Sequence, residues 1–329
     1  MQFLAKDLVI VEHLKKHFPM EKGILGSIFS TTDAVVHAVD GISFTIQSGE
    51  TFSLVGETGS GKTTTGRLIL RAVEATAGHV YFEGRDVFAL DKRALRSLRR
   101  DMQMIFQDPY TSLNPRMTIG EIIGEPLEVS GAAKGQEKDA DVLELLEKVG
   151  LGPAQEFAHR HPHEFSGGQR QRIGIARALA LKPKFVVADE PVSALDMSVR
   201  SEILNLMQDL KQEFNLTYLL IAHDLAVVNY MSDHVAVMYL GKIVELASSK
   251  DLFTEPLHPY TKALVAAIPI PDPDIKRESL EISGEVPSPI HPPQGCRFHT
   301  RCPFKKPGCE LTEPDLRDCG GGHLVACHM

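Results

Sequence analysis

The chain has 329 residues, 43% of them apolar and 24% charged, which excludes a disordered chain, a collagen-like repeat or a coiled coil and suits about two domains. Its 35 basic side chains against 43 acidic ones leave a net charge of −8, so a nucleic acid is not the expected partner. No apolar run reaches the roughly 18 residues of a membrane-spanning helix, and residues 1–20, with Lys6, Asp7, Glu12, Lys15 and Lys16, do not read as a secretory leader.

Up to about Gln107 the pattern predicts short strands and turns around one helix. Val35–Gln47 is rich in β-branched residues, and Ser48-Gly49 breaks it. Phe52–Val55 reads as a buried strand, followed by a glycine-rich turn and a helix striped by Leu68, Ile69, Ala72 and Val73. His79–Glu83 is another short strand between Gly78 and Gly84. From Asp108 to about Phe165 the chain turns to helix and loop. Val142, Leu145, Leu146 and Val149 fall at helical spacing and Gly150 stops them, as in a helical insertion.

From Ser166 to about Ser248 strands and helices alternate. Phe185–Ala188 and Leu216–Ala222 read as buried strands, Val199 to Leu210 as a striped helix, and His234–Leu246 as a hairpin turning at Gly241. That alternation predicts an α/β core with a mostly parallel sheet. Beyond residue 255, nine of the 20 prolines fall between Pro256 and Pro293, which predicts an extended arm rather than helix or central strand. All five cysteines (Cys296, Cys302, Cys309, Cys319 and Cys327) lie in the last 34 residues, a clustering that points to metal binding before disulfides.

Three stretches carry chemistry. Gly56-Glu57-Thr58-Gly59-Ser60-Gly61-Lys62-Thr63 matches G-x-x-x-x-G-K-[ST] between a buried strand and a helix. Glycines let backbone N–H groups wrap a phosphate; Lys62 should reach the β- and γ-phosphates and the Thr63 hydroxyl should ligate Mg²⁺. Phe185–Ala188 ends in Asp189 and Glu190, a carboxylate pair suited to holding Mg²⁺ and polarising water. Ser166-Gly167-Gly168-Gln169 opens a helix and offers a second anion site about 100 residues from the first, although Ser166 could equally be a plain helix cap. His159, His161 and His163 read as solvated loop residues rather than metal ligands.

Together these motifs resemble the ATP-binding subunit of an ABC transporter, in the family's order: the loop at 56–63, Gln107, the Ser166–Gln169 signature, Asp189 and Glu190, the Ser193-Ala194-Leu195-Asp196 loop, and His223. The resemblance implies a P-loop NTPase core at residues 1–255, with an antiparallel β subdomain and a helical subdomain at about 108–165, and a Pro-rich, cysteine-bearing extension at 256–329. It implies that ATP is held by Gly56 to Thr63, by Thr64, and by Ser166, Gly167, Gly168, Gln169 and Asp196 across a head-to-tail pair. Phe18 would stack on adenine. Thr63, Gln107 and Asp189 would serve Mg²⁺, and Glu190, His223 and Gln107 would serve hydrolysis.

Gln107–Tyr110, Ser112–Arg116, Glu121–Leu127, His258–Thr261 and the tail narrow the resemblance to oligopeptide/dipeptide permease ATPases, and the loop at Phe18 to Thr32 to the second of the two ATPases in such systems. The resemblance then implies a homologous second ATPase, two transmembrane permeases and, indirectly, an extracytoplasmic binding protein, at the cytoplasmic face of the membrane. It also implies a [4Fe–4S] cluster on Cys296, Cys302, Cys309 and Cys327, with zinc as the rival and Cys319 left over. Importers of nickel or oligosaccharides, and soluble ABC ATPases, are the competing readings. The latter usually carry coiled-coil insertions or a second cassette, and neither occurs in this sequence.

Overall fold

The computed structural model describes residues 6–20, 34–268 and 282–329. The loop expected between Phe18 and Thr32 therefore falls mostly outside the described residues. In chain order the elements are β1 (Asp7–Pro19), β2 (Val35–Gln47), β3 (Thr51–Val55), α1 (Lys62–Ile69), β4 (Ala77–Phe82), β5 (Arg85–Asp86), α2 (Lys92–Leu98) and β6 (Met102–Ile105). Then follow α3 (Ile119–Ser130), α4 (Gln136–Lys148), α5 (Ala154–Ala158), α6 (Gly167–Leu179), β7 (Phe185–Asp189), α7 (Met197–Phe214) and β8 (Thr217–Ala222). The chain ends with α8 (Leu225–Met231), β9 (His234–Tyr239), β10 (Lys242–Ser248), α9 (Ser249–Thr254), α10 (Pro259–Ala266), β11 (Arg317–Asp318) and β12 (Leu324–Val325).

These elements form two compact units. The first gathers the described residues of Met1–Ile46, Phe52–Phe88 and Ala222–Met329. One of its sheets runs β2-β1-β4-β5, with β1–β4 and β4–β5 antiparallel. In its other strands β3 pairs parallel with β9, β9 antiparallel with β10, and β10 antiparallel with β12. Every residue of β3 is buried, as a strand covered on both faces requires.

The second unit is Gln47–Thr51 with Ala89–Ile221. Its strands β8, β7 and β6 are parallel, with Phe185 opposite both Thr217 and Met102. Helices α3 to α7 belong to it. Arg172 joins them by donating to the Val149 carbonyl at 2.8 Å and pairing with Glu202 at 3.0 Å.

Two expectations need correction. A second helix, α2, precedes Gln107. It buries only Leu98, so no apolar stripe announces it; the Asp91 carboxylate caps it by accepting from the Ala94 N–H at 2.7 Å. The stretch beyond 255 also contains a regular helix, α10. Pro259 stands at its first position, where the missing N–H costs nothing, and the His258 ring caps it by accepting from Tyr260 N–H.

The C-terminal residues are part of the first unit's core. Phe298 is 1% exposed and lies 5.3 Å and 5.4 Å, centroid to centroid, from Tyr239 and Tyr260. Val244, Leu252 and Val265 share the same cluster. Glu245, fully buried on β10, accepts from the N–H groups of Leu257 (2.7 Å) and His258 (2.9 Å), and its Oε1 lies 2.7 Å from His323 Nε2. A buried carboxylate needs such partners, and here they tie α10 and the tail to one strand. Arg297 donates to the Leu240 carbonyl and to Asp40. Burial alone would raise the Asp40 pKa, but Arg297 and Lys242 hold it below its usual range.

Candidate nucleotide site

The loop after β3 is shaped by three glycines with positive φ: Gly56 (146°), Gly59 (82°) and Gly61 (105°). A Cβ on Gly56 would stand 2.1 Å from the Met238 carbonyl oxygen, and one on Gly61 would stand 2.2 Å from that of Ala38. The backbone is thus pressed against β9 and β2, and only glycine fits. A Cβ on Gly59 would meet nothing within 4 Å. The loop is closed on its packed side and open at Gly59.

Lys62 is 5% exposed. Its ammonium donates to the carbonyls of Gly56 (2.7 Å) and Glu57 (3.0 Å) and lies 3.4 Å from Ser60 Oγ. Ser60 is held from behind, since its carbonyl accepts from Gly241 N–H at 2.9 Å. Gly61 is the N-cap of α1 and makes no side-chain cap bond, so the first amides of the helix face whatever the loop holds. An ammonium, loop amides and a helix N-terminus are the donors of a polyphosphate site, and the residues present fit ATP. Thr63 and Thr64, half-buried in the first turn, add hydroxyls. Phe18 on β1 is 37% exposed, with the Lys16 ammonium 4.8 Å from its ring centroid. It offers a flat apolar face.

In the second unit, Asp189 ends β7 and is 2% exposed. Glu190 follows with φ 46°, a left-handed value that a glutamate adopts only under constraint, and its N–H donates to the Ile221 carbonyl at 2.9 Å. That bend brings the Glu190 carboxylate to Gln107, whose amide donates to Oε2 at 3.0 Å. The structure therefore joins two of the expected residues that stand 83 positions apart. Asp189 and the Gln107 amide oxygen are the hard oxygen donors that Mg²⁺ prefers, as is Thr63 in the first unit.

The signature lies at the start of α6. Ser166 Oγ accepts from Gln169 N–H at 3.3 Å, and Gln169 Oε1 accepts from Ser166 N–H at 2.9 Å, a reciprocal capping box. Ser166 and Gly167 are exposed. A Cβ at Gly168 would come 2.4 Å from Val199 Cγ1, so packing on α7 already demands that glycine. Asp196 is the N-cap of α7 without a side-chain cap bond, and it is exposed. His223 is exposed in the first unit, next to Asp224, which caps α8 by accepting from Ala226 N–H.

The iron–sulfur expectation is corrected. Among the described residues, the side chains grouped as for a single metal ion are His17, His37 and Asp40, where Arg297 already takes the carboxylate, and none of the cysteines belongs to that group. Cys296 and Cys302 pack against the first unit's apolar core. Burial, reinforced by the neighbouring thiols, pushes Cys296 up to about 11. Burial also raises Cys302. The tail is ordered by Phe298, Arg297 and the β10–β12 pairing instead, and the similar proteins described next are named as ATP-binding proteins with no mention of a cluster.

Residues 39–193 match the ABC transporter family, and residues 244–309 match the oligopeptide/dipeptide transporter C-terminal region. The chain is 50% identical over 327 residues to the oligopeptide transport ATP-binding protein AppF of Bacillus subtilis, covering 98% of each. It is 52% identical to a probable peptide ABC transporter ATP-binding protein of Sinorhizobium fredii, over 99% of this chain and 91% of that one. Among solved structures it is similar to the dimeric ATP-binding cassette MJ0796, in a post-hydrolysis state bound to ADP and Pi. That likeness has a TM-score of 0.64 and 29% identity, over 74% of this chain and 99% of the cassette.

Proposed function

Because the chain belongs to the ABC transporter ATP-binding family, we propose that this ATPase powers an importer of di- and oligopeptides. The full-length likeness to peptide transport ATP-binding proteins carries the cargo reading, because it continues through the C-terminal region at 244–309. No helix among the described residues is long and apolar enough to cross a membrane. The chain works at the cytoplasmic face with a homologous ATPase and two permease subunits, fed by an extracytoplasmic binding protein. Residues 1–255 form the ATP-binding domain, with its helical part at about 108–165, and residues 256–329 form the extension.

Gly56 to Thr64 bind the phosphates, and Phe18 stacks on the adenine. Lys62 exchanges its loop carbonyls for phosphate oxygens. Ser166 to Gln169 and Asp196 serve the partner's nucleotide across the head-to-tail pair. Thr63, Asp189 and Gln107 hold Mg²⁺, which neutralises phosphate charge when bound. Glu190 orients the attacking water and accepts its proton, with Gln107 fixing one carboxylate oxygen and His223 donating to the γ-phosphate.

The test is a preparation assembled with its permeases and second ATPase. Lys62→Ala should abolish measurable ATP binding by this chain. Glu190→Gln should retain ATP and lose turnover by about 10²-fold or more. Rapid turnover by the Glu190→Gln assembly, or stimulation by nickel or oligosaccharides in place of peptides, would refute the reading.

A further inference from the structure

Glu57, the second residue of the phosphate loop, is gripped from far along the chain. Arg301 Nη1 donates to Glu57 Oε2 at 2.8 Å and Nη2 to Oε1 at 3.2 Å, across 244 positions. Two parallel bonds of this kind fix orientation as well as charge. The guanidinium is 9% exposed and the carboxylate 30%, so solvent screens the pair only in part. Arg301 Nη1 also reaches Tyr239 Oη at 3.4 Å, and its side chain lies 5.9 Å from that ring's centroid. The Glu57 N–H donates to Tyr260 Oη at 2.9 Å, so the residue is held at backbone and side chain alike. Its carbonyl accepts from the Lys62 ammonium. A continuous path of hydrogen bonds thus runs from Arg301, beside Cys302, through Glu57 to the lysine.

We infer that Arg301 is a positioning residue for ATP: the C-terminal tail sets the shape of the phosphate loop by clamping Glu57, and nucleotide and tail stabilise one another. The inference rests on the ATP-binding reading above. A loop held in its binding shape does not lose ordering entropy when ATP arrives, so the clamp acts on nucleotide affinity. Coupling is reciprocal, so bound ATP must tighten the tail by the same factor. Arg301 acts on the loop through the Glu57 carboxylate, and not through the lysine directly.

The test titrates the full-length chain with a fluorescent ATP analogue and measures KM and kcat in the assembled transporter. Arg301→Gln should raise the dissociation constant and KM about five- to tenfold and leave kcat within about twofold, and Glu57→Gln should raise the dissociation constant by the same factor. The double variant should be no worse than the worse single variant, because both remove one interaction. Arg301→Lys, a single-point donor, should fall between wild type and Arg301→Gln.

In wild type, ATP should slow alkylation of Cys302; in Arg301→Gln it should not. Unchanged ATP affinity in Arg301→Gln would overturn the inference even if the variant melts earlier, and so would equal ATP protection of Cys302 in both proteins. Should Arg301→Gln fail to fold, Glu57→Gln and Arg301→Lys decide between the same two outcomes. A wild-type chain that binds no ATP would instead refute the proposed function.

Discussion

Residues 56–63 and residues 296–327 are both largely irregular backbone, yet they are built in opposite ways. The phosphate loop takes its bends from neighbours in sequence, three left-handed glycines, a lysine folded onto carbonyls a few residues away and the helix that follows, and distant residues only press and clamp that frame. The tail gains its shape from afar, through Phe298 between two tyrosines of the core, Arg297 on Asp40, and Val325 opposite Glu245. A loop of the first kind can be recognised as a string of letters. One of the second kind becomes visible only when its partners are brought to it.

The sharpest way to break this contrast is a pair of glycine substitutions. Gly61→Ala should reduce ATP affinity by about 10²-fold or more, because its Cβ would collide with the Ala38 carbonyl in a φ region costly for alanine. Gly59→Ala also sits at a left-handed φ, 82°, but meets no atom within 4 Å, so its loss should be far smaller. Equal losses, read by nucleotide titration, would show that φ alone and not packing sets the loop.

Phe298→Ala tests the tail. Emptying a site between Tyr239 and Tyr260 should cost about 3–5 kcal/mol, read as a lower denaturation midpoint. A cost below about 1 kcal/mol would mean that the tail rests on the core without belonging to it. The Arg301 clamp links the two regions and ranks next in expected effect.

The last effect is absent at neutral pH and grows only in acid. Burial pushes His258 down to about 3 from 6.5, while its N–H donates to the Glu245 carboxylate and its ring caps α10. The unfolded chain therefore binds a proton that the folded chain refuses. Stability attributable to this histidine is complete above pH 6.5 and falls as pH drops toward 3, by up to about 1.4 kcal/mol per pH unit. His258→Asn puts a capping oxygen in place of the ring nitrogen and removes the titration, so its midpoint should vary less between pH 6 and 4. Parallel pH curves for the two proteins would contradict that assignment.

The same contrast explains what could be read in advance. The strand at Phe52–Val55, the loop, the hairpin at Gly241 and the Ser166 cap follow from contiguous residues, and the structure contains all four. Joining Glu190 to Gln107 requires the left-handed bend after β7, which no spacing announces. The proline count obscured α10 because it ignored where Pro259 stands in the helix. Spacing alone makes the cysteines look like the organisers of the tail, whereas Phe298, Arg297 and Arg301 between and beside them order it. Glu57 looks like a filler letter of the motif, and nothing near it in sequence points to Arg301.

The distance in sequence between Glu57 and Arg301 also sets a timetable for synthesis. A ribosome adding roughly 5–20 residues each second needs about 12–50 s to pass from one to the other, a span of 244 positions. Throughout that interval the emerging phosphate loop lacks its clamp, and the β9 backbone against which Gly56 rests arrives about three-quarters of the way through it. A half-made chain is therefore a poor trap for cellular ATP, and nucleotide capture is deferred until the polypeptide is nearly complete.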